Sequence, residues 1–578
     1  MNWRATQETR AWRSLQHKAT VPAIVFHKKT LPLLTPLSSG KEVGYCIIPM
    51  SALSRQEGAD RTPSCSWFGA FAQDRRVACV ILGRTVGEFQ VGVSSWWVSL
   101  DQEVHTPLGE CYIVAGAPFG VFTNSQDILA TALSTFRQVA EPQAFPVLTM
   151  RLWVDITAQA RPPWPQPYFR GLDHLVYAGF DRENSLLLDL RRRRAIGRFS
   201  PSMARDEDYW QRIVVPNLVG LASETLGITA LHCACVERDG QGLLLAGGSG
   251  AGKSTLSLAM TQSGFAFLSD DWTYFSPANG RLLAWGLATP VKLLPDTVEY
   301  FPELRSREPG VAANGERCYE VDPELVFGVR RSLHCEPRWL IFLERQESPG
   351  YSFSKVPAHE AAARLESDLE DLPSELSRVR EIQRETILSL VGRECWLLRH
   401  GEKPQDIAQA LARFWAGPDV GEVQHTIMPE NTAPFARTGP DVIRRFTPTP
   451  LVAALCAAGC TIRLETNSRR ILEQAIKALN RSGWTPSNHE QFLWRLVSDD
   501  DAGLCPPWPD FSTLAVDSLC LVNIGQRSFL AVDADTRCAV GFLADGLVKD
   551  DKGFEELFLA KLLSLTAAAL SVPSGLQR

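Results

Sequence analysis

The sequence Gln241-Gly-Leu-Leu-Leu-Ala-Gly-Gly-Ser-Gly-Ala-Gly-Lys-Ser-Thr255 joins an apolar run to a glycine-rich loop. The loop, Gly247–Ser254, matches the pattern G-x-x-x-x-G-K-[ST], in which successive backbone N–H groups curve around phosphate oxygens. The run before it, Gln241–Ala246, has the length and composition of a buried strand. The run after it, Lys253–Ser263, predicts a helix that Gly264 closes. Strand, loop and helix in this order predict a binding site for phosphate groups.

The residues of this loop have distinct predicted roles in binding a nucleoside triphosphate. Lys253 supplies a cation to the terminal phosphates, and the Ser254 hydroxyl can join the coordination shell of Mg²⁺. The positive N-terminal end of the following helix faces the same anion. We therefore predict ATP and Mg²⁺ as cofactors. The predicted nucleotide-binding residues are Gly247, Gly248, Ser249, Gly250, Ala251, Gly252, Lys253, Ser254 and Thr255.

Two adjacent carboxylates, Asp270 and Asp271, follow the next strand-like run, Phe265–Leu268. Two such groups at a strand end are costly unless a cation or a proton offsets their charge. One of them could bind Mg²⁺, while the other accepts the proton of an attacking hydroxyl. The alternative is a solvated turn that merely ends the strand.

A histidine lies upstream of the loop. The alternating run Leu231–Val236 leads through a turn at Arg238–Gly240 into the strand before the loop, which is the pattern of a β-hairpin. Such a hairpin would bring His232 near the phosphates. The alternative is a histidine packed within its strand.

These segments together resemble the nucleotide-binding core of HPr serine kinase/phosphorylase and the kinases related to it. The resemblance is carried by Leu231-His232, by Leu244–Thr255 and by Ser269-Asp-Asp-Trp272, and it is specific over Ile228–Phe275. It implies a P-loop kinase domain that is similar in fold to phosphoenolpyruvate carboxykinase and acts on a serine hydroxyl.

The resemblance also implies roles for individual residues. His232 and both aspartates would belong to the active site, with Asp270 as the base and Asp271 as a metal ligand. The implied catalytic residues are thus Asp270, His232 and Lys253, and the metal ligands are Ser254 and Asp271.

The sequence departs from that family downstream of the carboxylates. The family's Glu-Ile-Arg-Gly segment, which contributes to its metal site, and its Pro-Gly-Arg-Asn loop have no recognisable counterpart. Their absence argues against phosphorylase activity and against HPr as the substrate. In their place, Lys292 within Thr289–Leu293 either meets phosphate or faces solvent. Glu344, after the apolar run Trp339–Leu343, either points toward the site or forms a surface ion pair.

An internal repeat surrounds this central segment. Thr123–Leu129 matches Thr466–Leu472, and Pro162-Pro-Trp-Pro165 matches Pro506-Pro-Trp-Pro509. The order and spacing of such matches persist over roughly 100 residues, which predicts two copies of one small α+β module. The second copy either recognises a peptide or protein substrate or packs against the first as a pseudo-dimer.

Within the first copy, the pattern predicts a hairpin and a long helix. His174–Phe180 and Ser185–Leu190 are the two strands of the hairpin. The basic run Arg191–Arg194 after it either decorates an exposed hairpin or binds an acidic partner. Asp206–Leu226 predicts a helix that Pro216 should bend.

The predicted fold is an α/β P-loop kinase domain flanked by two copies of the α+β module. A chain of 578 residues is long enough for several cores. The predicted parts are an N-terminal region at 1–107, the first module at 108–227, the kinase domain at 228–416, a linker at 417–450 and the second module at 451–578.

The composition argues against several classes of partner. The hydrophobic fraction of 45% and the charged fraction of 21% are those of an ordinary globular protein. A net charge of −6 provides no basic surface for nucleic acid, and no apolar run approaches the roughly 18 residues that span a bilayer. The charged segment Met1–Lys18 does not predict a secretory signal. We therefore expect a cytoplasmic protein with neither nucleic acid nor membrane as its partner.

The sequence leaves three functions open. The leading prediction is ATP-dependent transfer of the γ-phosphate to a Ser or Thr hydroxyl of a protein or peptide substrate. The second is phosphorylation of a small hydroxyl metabolite, such as a free amino acid. The third is a nucleotide-sensing scaffold that binds ATP without transferring phosphate. The oligomeric state is open as well, and a homo-oligomer is allowed.

Overall fold

The computed structural model describes residues 45–47, 78–80, 104–172, 174–223, 225–278, 280–312, 315–369, 377–416, 447–457, 460–480, 491–499, 508 and 511–570. The chain divides into two compact units, Met1–Ser95 and Trp96–Arg578. In the first unit, the described residues form a parallel pair of strands, β1 (Tyr45–Ile47) and β2 (Ala78–Val80). The prediction on Met1–Lys18 falls outside the described residues, as does most of the predicted linker. All further elements belong to the second unit.

The first sheet of the second unit and its helices occupy Leu108–Ser223. The elements in chain order are β3 (Leu108–Val114), β4 (Ala117–Thr123), α1 (Gln126–Phe136), β5 (Leu148–Val154), β6 (Tyr168–Leu172), β7 (Leu175–Gly179), β8 (Ser185–Asp189), β9 (Arg194–Phe199), α2 (Pro201–Ala204), α3 (Glu207–Tyr209), a π-helical turn (Trp210–Val214) and α4 (Val215–Ser223).

The seven strands of this sheet follow the order β3-β4-β5-β9-β8-β7-β6. The predicted hairpin is confirmed, since β7 and β8 pair antiparallel from Leu175 to Asp189. The predicted helix around Pro216 is confirmed as a continuous helical run over 207–223, which contains a π-helical turn. The π-helical turn ends just before this proline, and the Val215 N–H bonds to the carbonyl of Trp210, five residues back. This wider turn accommodates a residue that has no N–H to donate.

The central region carries the largest sheet. Its elements are β10 (Thr229–Leu231), β11 (Cys233–Arg238), β12 (Gln241–Ala246), α5 (Lys253–Gln262), β13 (Ala266–Ser269), β14 (Thr273–Ala278), β15 (Arg281–Trp285), β16 (Val291–Leu293), two 3₁₀ helices (Pro295–Glu299 and Pro302–Ser306), β17 (Gly310–Val311), β18 (Arg317–Val321), α6 (Pro323–Phe327), β19 (His334–Arg345), β20 (Tyr351–Lys355), α7 (Ala358–Ser367), α8 (Ser377–Val391), β21 (Glu394–His400) and α9 (Pro404–Trp415).

Nine strands form the central sheet, in the order β10-β14-β15-β19-β12-β11-β13, with β21 beside β19 and β20 beside β21. Strand β12 is covered on both faces, which explains its continuous apolar run. Leu243 and Leu245 pack in a core with α5 and α9, while Leu244 packs in another core with α7 and α8. Strands β16, β18 and β17 form a separate antiparallel sheet.

Strands β12, β19 and β21 are parallel to one another, and β13 runs in the same direction because both β12 and β13 pair antiparallel with β11. The carboxyl ends of these four strands therefore meet at one edge of the sheet. In open α/β sheets, ligands bind in the crevice at this edge.

A third large sheet follows the central region. Its elements are β22 (Leu451–Ala457), β23 (Cys460–Thr466), α10 (Arg469–Asn480), β24 (Gln491–Asp499), β25 (Ser512–Val516), β26 (Leu519–Asn523), β27 (Phe529–Asp533), β28 (Cys538–Ala544), α11 (Asp545–Lys549), a π-helical segment (Gly553–Leu559) and α12 (Ala560–Leu570).

The strand order of this sheet, β22-β23-β24-β28-β27-β26-β25, is the order of the first sheet, strand for strand. Residues of the repeated motifs also make matching contacts. The Asn124 side chain bonds to both backbone groups of Val154, and Asn467 does the same with Ser498. A tryptophan of each Pro-Pro-Trp-Pro motif donates to an aspartate, as shown by the pairs Trp164–Asp206 and Trp508–Asp550. The division of the chain into two module copies with the predicted bounds stays a prediction.

The first and third large sheets pack against each other through one face of each. Fourteen buried apolar side chains from the two sheets form one core. At its centre Tyr177 stacks on Phe529, with ring centroids 4.2 Å apart and an angle of 15° between the ring planes. The packing of these two sheets is the arrangement that one of the two predicted alternatives for the second copy expected.

Charged side chains are buried at the same contact. Asp189 and Asp533 are both fully buried, and each forms ion pairs with Arg192 and Arg194. His174 lies 3.5 Å from Asp533. We call these five residues the inter-sheet ion cluster. The expectation of an exposed basic run is therefore wrong for Arg192 and Arg194, because their guanidinium groups offset two buried carboxylates.

The structure as a whole is a mixed α/β protein with several sheets. In the part of the chain that the structure describes, no helix combines the length and apolar character needed to cross a membrane.

Candidate active site

The glycine-rich loop adopts a backbone that only glycine reaches without strain. Gly247, Gly250 and Gly252 have φ angles of 155°, 77° and 94°. A Cβ atom on Gly247 would lie 2.9 Å from the carbonyl oxygen of Leu343 in β19, so the loop begins in close contact with the neighbouring strand. The predicted succession of strand, loop and helix is confirmed by β12 and α5.

A cavity of about 310 Å³ lies over this loop at the carboxyl edge of the central sheet. Its volume is near the lower end of the range for small-molecule sites, about 300–1,000 Å³. Of the predicted nucleotide-binding residues, Ser249–Thr255 line the cavity, whereas Gly247 and Gly248 do not. His232, Asp270 and Asp271 also line it. The fold thus brings the predicted catalytic and metal-binding residues to one cavity.

The Lys253 side chain is curled into the loop and is only 7% exposed. Its Nζ donates to the carbonyl oxygens of Gly247 at 2.8 Å and Gly248 at 3.3 Å. These contacts hold a cation inside the curve of the loop, where phosphate oxygens would meet it.

Local hydrogen bonds fix the turn that carries the two aspartates. The turn connects β13 to β14, and the hydroxyl groups of Ser269 and Thr273 on either side of it lie 2.6 Å apart. Thr273 Oγ1 also donates to the carbonyl of Cys233 at 2.7 Å. Asp270 and Asp271 are therefore held against the start of β11, next to His232.

Asp270 is buried, and its charge is poorly offset. Burial, followed by the neighbouring charge of Asp271, raises the pKa of Asp270 to about 6. Polar contacts with the Ser254 side chain and the Lys292 N–H, and the charge of Lys253, oppose this rise. The Lys292 N–H donates to Asp270 Oδ2 at 3.1 Å. The other oxygen, Oδ1, is buried without a hydrogen-bond partner among the described residues.

Asp271 has a different environment, although it is adjacent in sequence. Its side chain is 66% exposed, and its Oδ1 lies 2.7 Å from His232 Nε2. Desolvation opposes ionisation of this carboxyl, but the hydrogen bond and charge of His232 outweigh it, so the pKa of Asp271 is lowered. The His232 ring also packs near Trp272, with ring centroids 5.6 Å apart. The predicted proximity of His232 to the site is thus found, and its direct partner is Asp271.

Two residues that the sequence left open have defined positions. Lys292 lines the cavity and forms an ion pair with Glu316, which lines it as well. Glu344 instead pairs with Arg399 at 2.9 Å and with Arg364 at 3.4 Å, which confirms the ion-pair alternative.

Several residues of the cavity were missed by sequence reasoning. They are Glu316, Arg345, His400, Glu402 and the apolar residues Leu294, Tyr300, Pro404 and Ile407. Arg345 ends β19 and His400 ends β21. The sequence did not reveal that β21 is parallel to β19. A parallel strand at that place has its C-terminal residues at the same edge of the sheet as the glycine-rich loop.

Comparison with known proteins gives little further guidance. No protein-family model matches the chain, and no curated protein matches it. Among solved structures, it is similar to the Hpr(Ser) kinase/phosphatase from Coxiella burnetii, with 14% sequence identity over 32% of this chain and 88% of that chain and a TM-score of 0.18.

Proposed function

We propose that this chain is a kinase that transfers the γ-phosphate of ATP to a Ser or Thr hydroxyl of a protein or peptide. The observation that carries the proposal is the convergence of the loop lysine and serine with two unlike carboxylates in one cavity. Phosphoryl transfer needs these parts: a cradle for the phosphates, a metal site, and a group that accepts the proton of the nucleophile.

Asp271 is the proton acceptor in this proposal. Its side chain is exposed, so an attacking hydroxyl can reach this carboxylate, which can take the proton. The lowered pKa makes Asp271 a weaker base but keeps it ionised. His232 holds the carboxylate in place through the 2.7 Å contact. This assignment reverses the one implied by the family resemblance, in which Asp270 is the base and Asp271 binds the metal.

Asp270 and Ser254 would hold Mg²⁺. Their fit to a cation rests on the buried Asp270 Oδ1, which has no hydrogen-bond partner among the described residues, and on the raised pKa of this carboxyl. Hard cations such as Mg²⁺ prefer carboxylate and hydroxyl oxygen ligands. When bound, the ion would neutralise charge on the β- and γ-phosphates. Lys253 supplies the second positive charge from within the loop.

The exposure of Asp271 favours a macromolecular acceptor over a small metabolite. Its side chain is 66% exposed, and the neighbouring Trp272 is 40% exposed. A hydroxyl group on the surface of a macromolecule can therefore approach the exposed part of Asp271 from solvent. A metabolite kinase, in contrast, is expected to enclose most of its substrate.

The test is transfer of label from γ-labelled ATP in the presence of Mg²⁺ and lysate from the protein's own source. Label should appear on a protein or peptide with the wild-type chain and be absent with Lys253→Ala. Label on a small molecule would favour the metabolite kinase. Nucleotide binding with no label on any product would contradict transfer and favour the scaffold.

A further inference from the structure

A separate cavity lies where the first and third large sheets meet. Its volume is about 680 Å³, within the range of about 300–1,000 Å³ for ligand sites. Most of its lining comes from the loop between β5 and β6, at residues 159–165, and from the turn between β7 and β8, at residues 181–183. Phe511 and Ser512, at the start of β25, complete it. The proposed phosphoryl transfer makes no use of this cavity.

Contacts within the molecule hold the loop that forms one wall. Trp164 Nε1 donates to Asp206 Oδ2 at 2.7 Å, which ties the loop to the helical run that follows β9. Gln526 Nε2 donates to the Gln166 carbonyl at 2.6 Å, which ties the same loop to the third large sheet. The wall is therefore preorganised, and a ligand does not have to order it on binding.

The two carboxylates of the lining are already bonded to backbone groups. Asp181 Oδ1 accepts from the N–H groups of Glu183 and Asn184 at 2.7 and 2.8 Å. Glu183 Oε2 accepts from the N–H groups of Gln159, at 2.7 Å, and Ala160. Such charge-assisted hydrogen bonds offset part of the negative charge and fix the direction of the oxygens. These carboxylates therefore hold the turn and the loop in place.

Three arginines line the same cavity, and two of them have no partner. Arg198 Nε donates to Asp155 Oδ2 at 3.1 Å, so the charge of this arginine is offset. Arg161 and Arg182 are exposed, and neither forms an ion pair or a donated hydrogen bond with any residue that the structure describes. Their guanidinium groups are thus available to a ligand. The unpaired charge in the lining is positive.

Apolar surface lies in the same cavity as these arginines. Pro163 and Pro165 contribute it from the loop, and Phe511 contributes it from the other sheet. An inorganic anion would leave this surface uncovered, whereas a peptide with acidic and apolar side chains would contact both kinds of group. A net charge of −6 gives no support to nucleic acid, the other large polyanion.

We propose that this cavity binds an acidic peptide segment of a partner protein. The carboxylates of the peptide pair with Arg161 and Arg182, because a guanidinium group binds a carboxylate through two parallel hydrogen bonds. A neighbouring apolar side chain of the peptide packs on Phe511 and the two prolines. The inference goes beyond the proposed function and does not depend on it, since the two cavities share no lining residue.

The first test measures binding of fluorescein-labelled octapeptides to the full chain by fluorescence anisotropy at low ionic strength. The peptides carry paired Glu or Asp residues at every spacing around one Leu or Phe. We expect the tightest of them to bind with a Kd below about 100 µM, and the double variant Arg161→Glu/Arg182→Glu to weaken it at least about tenfold. Thermal unfolding of the variant should match that of wild type, because both arginines are exposed.

Arg205→Glu is the matched control for the double variant. Arg205 is an exposed arginine between α2 and α3, outside the cavity. The control should leave the affinity within about twofold of wild type, because only general attraction between opposite charges is changed. An equal loss in the control and in the double variant would overturn the site.

The second test changes the tightest peptide instead of the protein. Replacing its acidic residues by Gln or Asn should weaken binding to wild type about tenfold and have little effect on the double variant. Replacing its apolar residue by Gly should also weaken binding to wild type, because the contact with Phe511 and the prolines is lost.

The outcomes separate this site from a simple anion site and from the proposed function. No binding by any acidic peptide, or binding that survives the double variant, would overturn the proposal. Full displacement of the peptide by millimolar inorganic phosphate, without any loss on replacing the apolar residue, would overturn it as well. None of these measurements involves ATP, so their failure leaves the proposed phosphoryl transfer unaffected.

Discussion

Two groups of buried carboxylates in this chain have opposite surroundings. In the inter-sheet ion cluster, Asp189 and Asp533 contact the guanidinium groups of Arg192 and Arg194. In the cavity, Asp270 contacts a hydroxyl group and a backbone N–H, and one of its oxygens is buried without a hydrogen bond among the described residues. Arginine side chains pair directly with the carboxylates of the first group, whereas Asp270 is offset only in part, by the charge of Lys253.

The pKa values of Asp533 and Asp270 move in opposite directions. Burial opposes ionisation of Asp533, but hydrogen bonds from His174 and Thr536 and the charges of both arginines lower its pKa. Burial and Asp271 raise the pKa of Asp270 to about 6. Buried carboxylates thus indicate a cation site only where the protein leaves their charge without a partner.

Distances between candidate ligand atoms, taken alone, would identify the wrong group of residues as a metal site. Ligand atoms of His174, Asp189 and Asp533 all lie within 4.8 Å of one another, as in a metal site. The two arginines already offset these carboxylates, and a metal ion would have to displace them. The cluster therefore joins two sheets rather than binding an ion.

The largest expected effect is on phosphate transfer. Asp271→Asn removes the proton acceptor, and general base catalysis contributes roughly 10²–10⁴-fold in rate. We expect a loss of that size in the label-transfer assay, with ATP affinity within about threefold of wild type. His232→Gln should give a smaller loss, because it positions the carboxylate without replacing it. A rate unchanged by Asp271→Asn would return the base to Asp270.

The next largest effect concerns stability. Asp533→Ala removes a fully buried carboxylate and leaves two partly buried guanidinium groups poorly compensated. Breaking a buried pair costs about 3–5 kcal/mol. Asp535→Ala is the matched control, because Asp535 pairs with Arg192 at 3.2 Å but is 43% exposed. The control should cost less than about 1 kcal/mol. Urea unfolding measures the free energy of unfolding of both variants. Equal losses for Asp533→Ala and Asp535→Ala would contradict the special contribution of the buried carboxylate.

Asp270→Asn should change stability in the opposite direction. In the absence of nucleotide, it should raise the free energy of unfolding. A carboxyl group whose pKa is raised in the folded state makes the protein less stable as pH rises from about 4 through about 6. The gain from removing it should be up to about 3 kcal/mol at pH 7.5 and about 1 kcal/mol at pH 4.5. Thermal unfolding at the two pH values measures this, and a gain that does not grow with pH would contradict the raised pKa.

The smallest effect is expected at Glu344. This residue pairs with Arg364 and Arg399 outside the cavity, with its side chain 29% exposed. Glu344→Gln should change stability by about 1 kcal/mol or less and leave ATP affinity unchanged. A tenfold loss of ATP affinity would place Glu344 in the site after all.

Local sequence patterns predicted the parts of this site that are contiguous in the chain. The strand, loop and helix at Gln241–Gln262 follow from an apolar run, glycines and a closing turn, all within one segment. The matching strand order of the first and third large sheets also has a visible signal in the repeated motifs.

The remaining features depend on contacts between distant segments. The unlike environments of Asp270 and Asp271 arise because the turn points one side chain at Ser254 and the other at His232. The ion pair of Arg192 depends on Asp533, more than 300 residues away in the chain. Glu402 reaches the cavity because β21 pairs parallel with β19. Periodicity and spacing carry no information about such pairings.

We expect a Mg²⁺–nucleotide complex to compensate the charge of Asp270, which the protein offsets only in part through Lys253. The most direct measurement is the affinity for ATP with and without Mg²⁺, in wild type and in Asp270→Asn. We expect Mg²⁺ to tighten ATP binding at least tenfold in wild type and to have little effect in the variant. Equal dependence on Mg²⁺ in both proteins, or none in wild type, would contradict the claim.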